Sequence, residues 1–437
     1  MTTDKNPWLD RFVPLLSRDE IRKQVEVRPI PLSNIEGIPA SLAGISIENS
    51  LKKMFYPSEQ CLDILFEWVT QANAHCTEVY TSRRAFLEGV YQIRPPLPEF
   101  RFPMCLTGLA GTGKSTLHEA MKRIMPRHET VMADDGTSFP LESHRAITVR
   151  TCSTPRDILV TLAQREGGIR ALTELTRKLA YRNGWAFMCF DEFQFATQSD
   201  KASTRLVQML MAMCYIGVPV AYIANFSLLH KLSSRNQEEI HRLLSNVRLL
   251  KPESSDSKDW RTLLHWQREI APQVFTFDPD RDSEAIHNLT GGLKRALVML
   301  LKISFVDAVS SGHPVNVSAL EKAYKTADYS SYRNDIESLQ KLYGAYRKKR
   351  KDLWCPVEGA VNVSEEQEWK RQRQKRSDEN ALAASMTVRE RQVLEELSNG
   401  KNETKSKPRK AKVTLITTEK SVAQQLQDNL TWFQDKF

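Results

Sequence analysis

Apolar positions along this chain follow two different periods. Between residues 101 and about 250, short continuous apolar runs alternate with stretches whose apolar residues recur every three or four positions. The runs at 102–106, 146–150, 185–190 and 218–225 read as strands buried on both faces. The stretches at 116–124, 169–181 and 204–216 read as amphipathic helices, and Thr154-Pro155 opens another with proline at its first position. Residues 228–250 read as helical, and 129–143 as a polar, mobile stretch. Strand and helix in alternation predict a parallel sheet sandwiched by helices. Ligands of such sheets sit at the carboxyl ends of the strands.

The flanks differ. Residues 6–25 carry Trp8, Leu9, Phe12, Leu15 and Leu16 as a helical apolar set. Residues 27–44, rich in Pro, Ser and Gly, read as an extended arm. Ser58 caps a helix running through Cys61, Leu62, Leu65, Phe66 and Val69; another spans 82–91 and stops at Pro95-Pro96. After residue 281 strand signals vanish. A helix ends at Gly291-Gly292, and three more follow at 293–308, 317–327 and 332–346. The expected organisation is an N-terminal region (1–100), an α/β core (101–280), a small helical lid (281–345) and a tail (346–437).

Two of the strands end in chemistry. The first runs into Gly108-Leu109-Ala110-Gly111-Thr112-Gly113-Lys114-Ser115, followed by Thr116 and a helix. Strand, G-x-x-x-x-G-K-S and helix together make a phosphate-binding loop, whose backbone N–H groups wrap phosphate oxygens. The helix N-terminus adds its dipole. Lys114 is placed for the β- and γ-phosphates of ATP, and the Ser115 hydroxyl for magnesium. The second strand ends in Asp191-Glu192. Asp191 can hold the magnesium opposite Ser115, and Glu192 can polarise the attacking water. A glycine-rich turn or an acidic turn alone is common; both in one chain point to a nucleotide.

Further candidates are weaker alone. Asn225 ends a strand and can sense the γ-phosphate, or simply satisfy the turn. Arg235, Arg242 and Arg248 lie beyond it; an arginine from a neighbouring subunit speeds phosphoryl transfer greatly. Arg242, then Arg235, are the candidates, against the plainer reading of solvated helix charges. At the lid's start Arg295 or Lys294 can reach the phosphates, or face solvent.

Composition adds three points. Of 437 residues, 62 are Lys or Arg and 53 Asp or Glu, a net charge of +9 that favours a polyanionic partner. The tail holds 20 basic and 14 acidic residues, +6 of that total, in clusters at 347–351, 370–376 and 405–412. Its last segment, with Val422, Leu426, Leu430, Trp432 and Phe433, reads as an amphipathic helix. Seven scattered cysteines without a C-x-x-C pair fit reduced thiols and a cytoplasmic location. No apolar run approaches the ~18 residues of a membrane span, so no membrane partner is expected.

The order of parts resembles an AAA+ ATPase. Asp191-Glu192-Phe193-Gln194, the segment 210–225 with Ile216-Gly217-Val218-Pro219-Val220, and Leu289-Thr290-Gly291-Gly292-Leu293-Lys294-Arg295 resemble the TnsC/TniB regulators of DNA transposition. These are related in role to the MuB protein of a transposing phage. The resemblance covers about residues 100–345. One departure is Ala224-Asn225, where many relatives carry Gly-Thr. The resemblance implies ATP-bound rings or helical filaments on double-stranded DNA without sequence preference. It implies partners, too: a target-selector protein and transposase subunits, with hydrolysis setting the assembly's lifetime. By carry-over, residues Gly108 to Thr116 bind nucleotide, Ser115 and Asp191 hold Mg2+, Glu192 activates water, Asn225 and Arg295 are first and second sensors, and Arg242 acts in trans. A helicase loader and an ATP-gated signalling switch are the alternatives.

Overall fold

Four apolar runs and one less obvious segment become the strands of a single sheet. The computed structural model describes residues 6–33, 39–126, 129–132, 136–149, 154–193, 202–341 and 350–357. All belong to the compact unit formed by residues 1–360. The basic clusters at 370–376 and 405–412, the terminal aromatic segment and Gln194 lie outside the described residues.

In chain order, α1 (Pro7–Asp10), a 3-10 turn (Val13–Leu16), α2 (Arg18–Val25), α3 (Ala40–Lys53), α4 (Glu59–Val79) and α5 (Arg83–Val90) precede the sheet. Then come β1 (Met104–Thr107), α6 (Lys114–Ile124), a hairpin of β2 (Glu129–Met132) and β3 (Ser138–Leu141), β4 (His144–Thr148), α7 (Pro155–Ala163), α8 (Ile169–Arg182) and β5 (Phe187–Asp191). Next are α9 (Ala202–Cys214), β6 (Val220–Ile223), α10 (Phe226–Ser233), α11 (Gln237–Leu243), β7 (Asn246–Leu249) and α12 (Lys258–Glu269). Helices α13 (Ser283–Thr290), α14 (Lys294–Ser311), α15 (Val317–Tyr324) and α16 (Ser330–Lys341) complete the fold.

The sheet runs β4-β5-β6-β1-β7, all neighbours parallel. Every residue of β1, β5 and β6 is buried, as continuous apolar strands require. Helix α4 packs against β5 and, with α2, against α6; α7 packs against α8 and α9. This is the expected α/β arrangement, a parallel sheet between helices, followed by the helices α13–α16.

The N-terminal helices are built into the core. Arg11 is buried and donates to the Trp8 carbonyl, the Ser143 hydroxyl, the Cys76 sulfur and the Gly184 carbonyl. Every donor it uses has a partner, which is what a buried guanidinium needs. Helix α3 packs instead on the lid helix α14, where Lys302 pairs with Glu48 at 2.5 Å. The described start of the tail, residues 350–357, also folds back. His230 Nε2 donates to the Trp354 carbonyl at 3.1 Å, and the two rings meet edge-on at 4.2 Å.

Three local expectations are corrected. The arm ends at Pro39, and its last residues, including Ala43 and Gly44, are buried in α3. The stretch expected to be mobile holds the β2–β3 hairpin, with Val131, Phe139 and Leu141 buried. The segment expected to be helical to residue 250 breaks after Leu243, and Asn246–Leu249 becomes the fifth strand, beside β1.

Candidate nucleotide site

Strand register brings the two motifs together. Leu106 pairs with Ile223 and Phe190 with Tyr222, so β1 and β5 end within a residue of each other across β6. The phosphate loop and the Asp191-Glu192 turn therefore leave the same edge of the sheet. Asn225, one residue past Ala224, leaves that edge between them; the Ala224 N–H still donates to Leu106 at 2.9 Å.

Close approaches shape the loop. A Cβ on Gly108 would lie 2.4 Å from the Leu250 carbonyl oxygen, so only glycine lets β7's end sit so near. Gly111 has φ +89°, and a Cβ there would lie 2.9 Å from Arg295 Cβ. The lid touches the loop at that point. The Arg295 N–H, in the first turn of α14, donates to the Gly111 carbonyl at 3.1 Å. Helix α14 has no side-chain cap, so the loop supplies an acceptor that its first turn lacks. The N-termini of α6 and α14 thus both meet the loop, and both carry partial positive charge.

Lys114 is held inside this frame. Its Nζ donates to the Gly108 and Leu109 carbonyls, each at 2.8 Å. Burial, reinforced by the nearby Arg295 guanidinium, pulls its pKa down to about 8; Asp191 and Glu192 oppose the shift. A half-buried cation beside another cation favours an anion, and a polyphosphate supplies one. Lys294 adds a third positive charge, with its aliphatic chain over Gly113 and its Nζ 3.9 Å from Glu253.

Asp191 is buried at the end of β5. Its Oδ1 accepts from the Glu192 N–H at 2.7 Å. Burial pushes the carboxyl pKa up, but His118, the Glu192 N–H and the Ser115 hydroxyl outweigh it and hold the group below its ordinary value. Two hard oxygen donors, an ionised carboxylate and a hydroxyl, are the ligand types that magnesium takes. Glu192 sits at φ +65°, a region that few non-glycine residues adopt.

Asn225 satisfies the turn that follows it: its Oδ1 caps α10 by accepting from the Leu228 N–H at 3.1 Å. The arginines lie elsewhere. Arg235, in the turn between α10 and α11, makes a two-pronged pair with Glu239 of α11, at 2.6 and 3.3 Å. Arg248, at the surface, ties β7 to α4 through two bonds of 2.6 and 2.7 Å to Glu67. Arg242 pairs with Glu238 at 2.7 Å and lies over the Phe100 ring, at the opposite end of β1 from the phosphate loop. Phe102 and Tyr215, both exposed, pack edge-on to Phe100.

Sequence reasoning missed three participants: His118, the Glu253–Lys294 pair and the Gly111–Arg295 contact. Only His118 had a signal, its place one helical turn after Lys114 and Ser115.

No protein-family model and no curated protein matches the sequence. Among solved structures, the chain is similar to the Aeropyrum pernix ORC1 protein in complex with DNA, at 15% identity and a TM-score of 0.36, covering 61% of this chain and 68% of that one. It is similar to domain III of the Thermotoga maritima replication initiation protein DnaA, at 17% identity and a TM-score of 0.32, covering 55% and 88%. Drosophila ORC bound to DNA matches at 15% identity and a TM-score of 0.34, covering 68% and 70%. These likenesses are remote; the site's chemistry comes from its own residues. Among the described residues no helix is long and apolar enough to cross a membrane.

Proposed function

We propose that this chain is an ATPase that assembles on double-stranded DNA and links target-site choice to transposase recruitment. The observation that carries the nucleotide half is the half-buried Lys114, held by the loop carbonyls with the Arg295 guanidinium and the Asp191 carboxylate nearby.

In this reading the loop N–H groups of residues 108–116 wrap the phosphates, and Lys114 leaves the loop carbonyls to meet them. Arg295 reaches the same phosphates from the lid. Ser115 and Asp191 would hold Mg2+, which would neutralise phosphate charge when bound. Glu192 takes the proton side of the attacking water, and Asn225 Nδ2 orients it. Arg242 serves a neighbouring subunit's nucleotide. Its exposed aromatic surroundings suit a contact between copies, and its pairing with Glu238 is an exposed i,i+4 bridge worth well under about 1 kcal/mol, so it is cheaply released.

The DNA and transposition half rests on the sequence resemblance around Asp191, 216–220 and 289–295, and on the net charge of +9. Turnover of ATP with and without duplex DNA, beside sizing with ATP and duplex, tests the assembly. Capture of a transposase encoded beside this gene tests the role. Nucleotide-dependent assembly without any transposase contact would move the reading towards a helicase loader.

A further inference from the structure

His118 is one helical turn beyond Ser115, on the face of α6 turned towards the end of β5. It is buried, only 3% exposed. Its Nδ1 lies 3.9 Å from Asp191 Oδ2, too long for a hydrogen bond but close enough for the ring to orient the carboxylate electrostatically. Its Nε2 is buried with no hydrogen-bond partner among the described residues. The ring meets His144 edge-on at 5.7 Å, and His144 in turn stacks on Phe187.

This placement selects one tautomer. A buried N–H without an acceptor is rarer and costlier than a buried lone pair. A proton on Nε2 would be orphaned, whereas a proton on Nδ1 faces a carboxylate. The ring therefore presents its N–H to Asp191 and keeps its lone pair on the unpartnered Nε2. Asp191 is then directed at both oxygens, Oδ1 by the Glu192 N–H and Oδ2 by His118. A carboxylate that binds metal works best with its rotamer fixed by such neighbours, and losing one typically weakens the metal by 10–100-fold.

We infer that His118 is a positioning residue that aims the Asp191 carboxylate at the divalent cation accompanying the nucleotide. The inference rests on the nucleotide reading above. Its test uses the full chain, with His118→Leu and His118→Ala removing the donor and His118→Asn restoring one near the Nδ1 position. Binding of a fluorescent ATP analogue is measured in EDTA and across a Mg2+ titration, beside melting temperature. In whichever apolar variant folds, the Mg2+ needed for half-maximal effect rises about tenfold or more, while affinity in EDTA stays within about twofold, and Asn recovers most of the shift. An unchanged Mg2+ requirement in the apolar variant overturns the inference. So does an equal loss of affinity in EDTA, which marks His118 as merely structural. If the wild-type chain binds no nucleotide, the site reading itself fails and this inference falls with it.

Discussion

Lys114 is charged, half-buried and next to a second cation, so its proton reports on the site. Its pKa in the folded chain is about 8, against 10.5 for the ordinary lysine. Below pH 8 both folded and unfolded chains carry the proton, and the folded chain bears the full penalty of the half-buried charge. Between pH 8 and 10.5 the folded chain releases it first, so this group's contribution to stability rises with pH. Nucleotide binding has the opposite sign. Bound phosphate raises the lysine pKa, so affinity is flat below pH 8 and declines above it by up to about tenfold per pH unit. Titration calorimetry in two buffers at pH 9 should show proton uptake on binding, and Lys114→Ala should abolish binding and uptake together. Glu192→Gln should keep nucleotide affinity and end turnover, because the amide preserves shape but accepts no proton. Single-turnover assays beside binding separate the two; hydrolysis within about threefold of wild type would remove Glu192 from the base role. These residues were legible because motif spacing is chemistry written in sequence. His118 was not, because its meaning depends on which strand end the face of α6 meets.

At the scale of elements, the joint between lid and loop is the most exposed to test. The α14 N-terminus docks on Gly111 through one hydrogen bond, with Arg295 Cβ so close that a Cβ on Gly111 would lie 2.9 Å from it. Gly111→Ala forces a side chain into φ +89°, at a cost of about 1–2 kcal/mol, and pushes against Arg295. The stabilisation that nucleotide gives should therefore shrink more than the apo melting temperature falls. Thermal shift with and without Mg-ATP measures both, and equal losses would show that the contact matters to folding alone. The elements the sequence hid share a physical cause. Strand β7 is four residues, Asn-Val-Arg-Leu, with an exposed arginine and no continuous apolar run. Its strand character comes from pairing with β1, so the helical period of the preceding segment masked it. The β2–β3 hairpin buries only alternate residues of short strands and read as loop. In α3, Gly44 is there for space: a Cβ would meet Val306 of α14 at 2.7 Å. A packing demand of that kind reads as flexibility in sequence. The continuously apolar buried strands and capped helices, such as α7 with its Thr154–Asp157 capping box, were legible from local pattern.

For the whole molecule the proposal is an assembly, and two measurements bear on it. Contacts to a DNA backbone release counterions, so binding should weaken steeply with salt and show little preference among unrelated duplexes. A strong preference for one sequence in competition would contradict backbone binding. The second measurement concerns how copies share a site. Arg242 lies at the far end of β1 from its own phosphate loop, so in the proposed assembly it would serve another subunit's nucleotide. In a head-to-tail ring or filament each site then takes its base from one chain and its arginine from the next. Glu192→Gln lacks the base but keeps the arginine; Arg242→Ala lacks the arginine but keeps the base. Each alone should be nearly inactive. Mixed in equal amounts, about a quarter of the interfaces join an intact Glu192 to an intact Arg242, so activity should return to roughly that fraction. The mixture is assayed with Mg-ATP and duplex after co-assembly, against each variant at the same total concentration. No recovery, with sizing showing that the two variants do co-assemble, would remove Arg242 from the trans role. The same mixture made with Arg235→Ala then decides whether the neighbouring arginine takes its place.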